Sequence, residues 1–220
     1  MRNIWWIFAV ILVAFVVPAR ADAVPALSPD DMVMGKADAP ITIIEYASLS
    51  CPHCAEFDME ILPKVKAEWI DTGKAKLAFR DYPLDQPAVK AAQLAHCAPK
   101  ERFFGFVDEL FHSQRNWVLA GNPEEALERI GRLGGVSPDK FKSCMNDKQL
   151  QDKIINSRLV ASQQYDVSST PTFFINGKKV VGALPYDDFA KALTAALASA
   201  PKSELPGRHL ATAAPPSQNE

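Results

Sequence analysis

The sequence predicts an α/β fold interrupted by a long all-helical segment, and three observations carry that expectation. Two short strand-like runs, the first rich in β-branched residues, flank one amphipathic helix near the start. A block of roughly eighty residues then shows only helical patterning, and a hairpin followed by a helix closes the pattern. The first strand is Ile41–Ala47, apolar except for Glu45. After it Phe57, Ile61, Val65 and Trp69 recur every fourth residue, with Glu56, Asp58 and Glu60 off that stripe, as on a half-buried helix. Pro63 lies inside this helix and predicts a kink. Thr72-Gly73 stops it, and residues 76–82 read as the second strand. A strand–helix–strand crossover of this kind should be parallel and right-handed.

From about residue 86 to 165 the chain is helical throughout. Residues 88–98 are alanine-rich, and Phe103, Phe106, Val107, Leu110 and Phe111 form the next apolar stripe. Asn122-Pro123-Glu124-Glu125 supplies an N-cap, a first-turn proline and first-turn acids. Gly134-Gly135 ends that helix and Ser137-Pro138-Asp139 begins another. Thr172–Ile175 and Lys178–Val181 flank Asn176-Gly177, a turn pair suited to positive φ, and residues 186–198 form the last helix. The aromatics of the helical block read mostly as core, and His96 as a surface residue.

The ends and the charges bound the setting. Met1-Arg2-Asn3, the apolar run over residues 4–17 and Pro18-Ala19-Arg20-Ala21 have the form of a signal peptide over residues 1–21. Left uncleaved, it would anchor the protein; either way the expected location is periplasmic or extracytoplasmic. Loss of Arg2 and Arg20 would leave 22 basic against 26 acidic residues, a net charge of −4. No basic run is present, which argues against nucleic acid and anionic membrane surfaces as partners. Residues 201–220 lack apolar periodicity and read as a disordered tail. Four cysteines in an exported chain imply an oxidising compartment.

Two of them carry chemistry. Cys51-Pro52-His53-Cys54 sits where the strand pattern yields to the helix pattern, a redox arrangement. Cys51 would occupy the helix start, where unpaired N–H groups and the positive dipole end favour a thiolate. Pro52 suits the first helical position. His53 is placed to hydrogen-bond or to bring positive charge to the Cys51 sulfur. No second C-x-x-C completes a zinc site, so no metal site is expected. Glu45, an acid within an apolar strand, should have a raised pKa through desolvation. Cys97 and Cys144 remain as a second pair, a structural disulfide or a regulatory one.

With Glu45, Cys51-Pro52-His53-Cys54 and Ser169-Thr170-Pro171-Thr172, the sequence resembles the DsbA family of exported thiol–disulfide oxidoreductases over residues 38–199. The resemblance implies a thioredoxin-like fold in two parts, residues 38–84 and 166–200, with a helical insertion at 85–165 and an N-terminal extension at 22–37. It implies that Cys51 is the nucleophile, Cys54 the buried resolving cysteine, and Glu45 an aid to proton movement. It places a cis-proline at Pro171, with the Thr170 backbone turned toward an extended peptide substrate. Thr170 is a departure, since the family's best-known oxidases carry valine there and threonine is common in its isomerases. The implied partners are reduced or unfolded exported proteins and a membrane quinone-linked protein for re-oxidation. The chain is expected to act as a monomer without a cofactor, since only about 16 residues separate Ala21 from Asp38 and leave no room for a dimerisation domain. The leading expectation is an oxidase; the rivals are an isomerase or reductant, and a non-catalytic peptide-binding or holdase module.

Overall fold

The computed structural model describes residues 23–200, so the expected signal peptide and disordered tail lie outside the described residues. A five-stranded sheet runs in the order β1-β3-β2-β4-β5. Here β1 is Met32–Gly35, β2 Ile41–Ala47, β3 Ala75–Asp81, β4 Thr172–Ile175 and β5 Lys178–Val181. The central pair β2–β3 is parallel, as the crossover requires, with Glu45 opposite Phe79. β4 joins the other side of β2 antiparallel, with Glu45 opposite Phe173, and β5 returns from it through Asn176 (φ 44°) and Gly177 (φ 86°).

β1 has no counterpart in the sequence pattern. It is an edge strand of four residues, antiparallel to β3, whose side chains are at most half-buried. Arg80 of β3 fastens the segment before it. Its Nε and Nη2 donate to the two carboxylate oxygens of Asp31 at 2.9 and 2.7 Å, and Nη1 donates to the Tyr46 hydroxyl at 2.8 Å. Such a fork needs a bidentate carboxylate, and only the folded chain brings Asp31 to it.

The helix after β2 is not the single kinked helix the spacing predicts. α1 (Pro52–Glu56) passes into a π turn at Phe57–Ile61, then α2 (Leu62–Val65) and a second π turn at Lys66–Ile70. Pro63 has no N–H for the carbonyl four residues back, and its ring crowds that carbonyl; the wider turn just before it accommodates both. The apolar stripe still faces inward: Phe57 stacks on Phe173 and Phe189 with ring centroids 4.5 and 5.2 Å apart. Phe189 belongs to the closing helix α9 (Tyr186–Ser199).

The insertion comprises α3 (Gln86–Cys97), α4 (Phe103–His112), α5 (Gln114–Val118), α6 (Pro123–Leu133), α7 (Pro138–Met145) and α8 (Lys148–Gln164). Asn122 and Ser137 cap α6 and α7 as expected, accepting from the N–H groups of Glu125 and Lys140. Asp85 and Asp147 cap α3 and α8 in the same way. One continuous apolar cluster runs from β2 and β3 through α3, α4, α6 and α7. Phe103 makes the join, edge-on to Phe79 of β3 at 5.8 Å. His96 is not a surface residue: its Nε2 lies 2.7 Å from the buried Asp81 carboxylate, and its ring leans on Phe103. A disulfide joins Cys97 at the end of α3 to Cys144 in α7, both buried.

Candidate active site

β2 delivers the chain to a turn over residues 48–50, and Cys51 follows as the N-cap of α1 with extended backbone (φ −81°, ψ 122°). Pro52 takes the first helical position. The N–H of Cys51 is held by Ser48 O at 3.0 Å, and the Cys51 carbonyl accepts from Cys54 and Ala55 at 3.2 Å. The sulfur therefore sits over the open helix start. It is the dithiol form that the structure holds, with Cys51 5% exposed and Cys54 fully buried behind it.

The Cys51 pKa is lowered to about 5. The largest cause is the hydrogen bond from the Cys54 thiol; the Thr170 hydroxyl and the backbone N–H groups of Cys54 and His53 add to it, against the opposing effect of burial. Cys54 moves the opposite way, pushed well above an ordinary thiol by burial and by its role as donor to Cys51. Two thiols a turn apart thus have opposite characters, one poised as an anion and the other kept protonated.

The third component arrives from the far end of the chain. The Thr170–Pro171 peptide is cis, and the Thr170 carbonyl accepts from the Cys51 thiol at 3.4 Å. That carbonyl is thus engaged by Cys51 in the reduced form rather than left open to a peptide. The Thr170 hydroxyl is buried without a partner while Cys51 carries its proton, and can donate once the thiolate forms.

The Thioredoxin family model matches residues 27–195. A Rickettsia typhi protein bearing the name protein-disulfide oxidoreductase is 34% identical over 177 residues, covering 80% of this chain and 65% of its own length. The crystal structure of Wolbachia pipientis alpha-DsbA1 superposes with a TM-score of 0.74 at 35% identity, over 78% of this chain and 93% of that one. The chain belongs to the DsbA-like thioredoxin family. It spans 59–66% of the length of the Rickettsia relatives. A Bacillus anthracis protein that carries the name disulfide bond formation protein D is 28% identical over 166 residues, covering 73% of this chain and 75% of its own length.

The remaining expected residues of this DsbA-like site divide into those that converge and one that turns away. Glu45 is buried on β2, and burial, then the charge of Asp58, pushes its pKa well up. Were it ionised, its charge would push the Cys54 thiol still higher. His53 does not direct its ring at Cys51: the side chain is 74% exposed and its Nδ1 lies 3.1 Å from Glu56 one turn on. The neighbouring carboxylate at i+3 captures the ring, so His53 serves the sulfur through its backbone N–H alone. Cys97 and Cys144 lie in the insertion.

Gln114 was not predicted from sequence. It is buried at the start of α5, and its amide donates to the carbonyls of Leu49 (2.7 Å) and Cys51 (3.0 Å), fixing both ends of the active-site turn. A groove of about 500 Å³ flanks α1, lined by Pro52, Ala55, Met59 and Phe111 among others. Among the described residues no helix is long and apolar enough to cross a membrane.

Proposed function

We propose that this chain is a thiol–disulfide oxidoreductase that oxidises dithiols in exported proteins through a Cys51–Cys54 disulfide. The observation that carries the reading is the opposed pair of pKa shifts, Cys51 down to about 5 and Cys54 well up. A substrate thiolate attacks Cys51 Sγ in the oxidised form, the Cys51–Cys54 bond breaks, and Cys54 leaves and takes up a proton. A second substrate thiolate then attacks the substrate sulfur of the mixed disulfide and expels the Cys51 thiolate. The substrate loses two electrons and the Cys51–Cys54 pair gains them. Because Cys51 is a stabilised leaving group, the second step is fast and the whole exchange runs toward oxidised substrate.

Glu45, held protonated by burial, supplies the proton to Cys54 and recovers it on re-oxidation. Thr170 and Pro171 hold the substrate strand, with the Thr170 N–H as the backbone donor, and the apolar groove beside α1 receives flanking side chains. Re-oxidation falls to a separate, quinone-linked membrane partner. One chain holds every part of the site, so it works as a monomer. The intact Cys97–Cys144 disulfide supports an extracytoplasmic setting.

The deciding experiment is the equilibrium potential of Cys51–Cys54 against glutathione, run beside oxidation of a reduced peptide dithiol and reduction of insulin. An oxidase has a potential above that of glutathione and oxidises the peptide faster than it reduces insulin. The reverse order assigns a reductant or isomerase. Peptide binding with no turnover assigns a holdase.

A further inference from the structure

Asp58 lies in the π turn that follows α1, seven residues after Cys51, and bears on the exchange described above only through its charge on Glu45. Its side chain faces α4, where Asp108 and His112 stand one turn apart on the same face. A carboxylate oxygen from each acid and an imidazole nitrogen lie within 4.8 Å of one another. We propose that Asp58, Asp108 and His112 form a binding site for a divalent transition-metal cation, Zn²⁺ by its donor set.

Two acids and a histidine on a surface would not suffice. The second observation is the state of Asp58: it is only 7% exposed, and its Oδ1 is buried without a hydrogen-bond partner. A buried carboxylate oxygen left unpaired is costly, and a cation is the group that would satisfy it. Among the described residues no lysine or arginine pairs with Asp58 or Asp108. His112 is already held against the acids, its Nδ1 3.0 Å from the Asp108 carbonyl and 3.4 Å from the Asp108 carboxylate.

The donor set chooses the ion. Imidazole with carboxylates suits zinc and its neighbours, and three protein ligands leave the fourth tetrahedral position to water. Calcium takes six to eight oxygens, more than the cluster offers, and both calcium and magnesium favour all-oxygen shells that an imidazole nitrogen does not supply. Asp108 and His112 come from the insertion and Asp58 from the helical run that carries the dithiol, so a bound ion would tie the two together. The site borders the substrate groove, which His112 also lines.

The test uses tag-free protein with Cys51–Cys54 oxidised, so that no thiolate competes for metal. After treatment with a chelator, Zn²⁺ alone is titrated in by calorimetry, and metal content is measured after gel filtration. One Zn²⁺ per chain and a raised melting temperature are expected. Asp108→Asn and His112→Gln, at side chains 65% and 55% exposed, should leave the metal-free melting temperature unchanged. Each should weaken Zn²⁺ binding at least tenfold and abolish the thermal shift. Absence of binding in the wild type, or equal binding in both variants, overturns the site. Displacement of Zn²⁺ by equimolar Ca²⁺ overturns the choice of ion.

Discussion

Protonating Cys51 should remove a pH-dependent stabilisation that the reduced protein has and the oxidised one lacks. The folded thiol titrates at about 5 against 9.0 for an ordinary thiol, so folding favours the thiolate. Because the folded value is the lower one, the stabilisation is present in full above pH 9.0 and is lost as pH falls toward 5. It declines by about 1.4 kcal/mol per pH unit across that window. At pH 7, about two units above the folded value, the ceiling is roughly 2.7 kcal/mol. The sulfur must remain reachable by another sulfur, and solvent screening at such a site brings the expectation to roughly 2 kcal/mol. The oxidised protein has no thiol to titrate here, so the whole effect appears in the comparison of the two redox forms. Expressed as a potential for a two-electron couple, it is about 40 mV toward the oxidising side.

Two measurements check this. Ultraviolet thiolate absorbance of the reduced protein, with Cys97–Cys144 intact, should show an inflection near pH 5 that is absent in Cys51→Ala. Urea unfolding of both redox forms between pH 4 and 9 should show the reduced form gaining roughly 2 kcal/mol relative to the oxidised form between pH 4 and pH 7. An inflection near the ordinary thiol value, or a difference that ignores pH, would refute the account of Cys51 as a stabilised leaving group.

Gln114→Leu should cost roughly 2 kcal/mol, because it leaves the Leu49 carbonyl buried without its donor and removes the side-chain donor from the Cys51 carbonyl, which keeps the N–H groups of Cys54 and Ala55; it should also raise the pH of the thiolate inflection, and an unchanged inflection would reduce Gln114 to a packing residue. Removing the disulfide with Cys97→Ala/Cys144→Ala should destabilise the protein by about 4 kcal/mol on the chain-entropy account of a 47-residue separation, read by urea unfolding. A loss below about 1 kcal/mol would mean that the bond constrains the unfolded chain very little. Arg80→Ala should cost about 3–5 kcal/mol by stranding the largely buried Asp31 carboxylate, whereas the double variant Arg80→Met/Asp31→Leu should recover much of that loss. Equal losses in the single and double variants would show that the pair acts through packing alone.

What could be read from the sequence is what repeats or sits next to itself in the chain. The period-four stripe ending at Trp69, the Asn176-Gly177 turn and the caps at Asn122 and Ser137 each need only a few neighbouring residues, and all appear in the structure. The strand–C-x-x-C–helix junction is local in the same sense, so the helix-start position of Cys51 was legible. The orientation of His53 was not, because it depends on a competition between Cys51 and Glu56 that spacing alone does not rank. Edge strand β1 escaped notice because four residues, at most half-buried, give no clear alternation; it is secured by Arg80, 49 positions beyond Asp31. His96 looked exposed because its partner Asp81 lies on a different element.

The same reasoning explains why the insertion belongs to the active site rather than beside it. The dithiol segment supplies its own helix start, but a helix start alone does not aim a sulfur. Thr170 faces the sulfur from 119 positions away, and Gln114 holds the Cys51 carbonyl from 63 positions away. Gln114 begins α5, which is packed through Trp117, whose indole donates to the Leu110 carbonyl of α4 at 2.8 Å. The position of the Cys51 backbone is therefore set by the packing of α4 against α5 as much as by β2. A substitution deep in that packing, far from any sulfur, should change the titration of Cys51 through Gln114, which neither the local motif nor the strand pattern could have indicated.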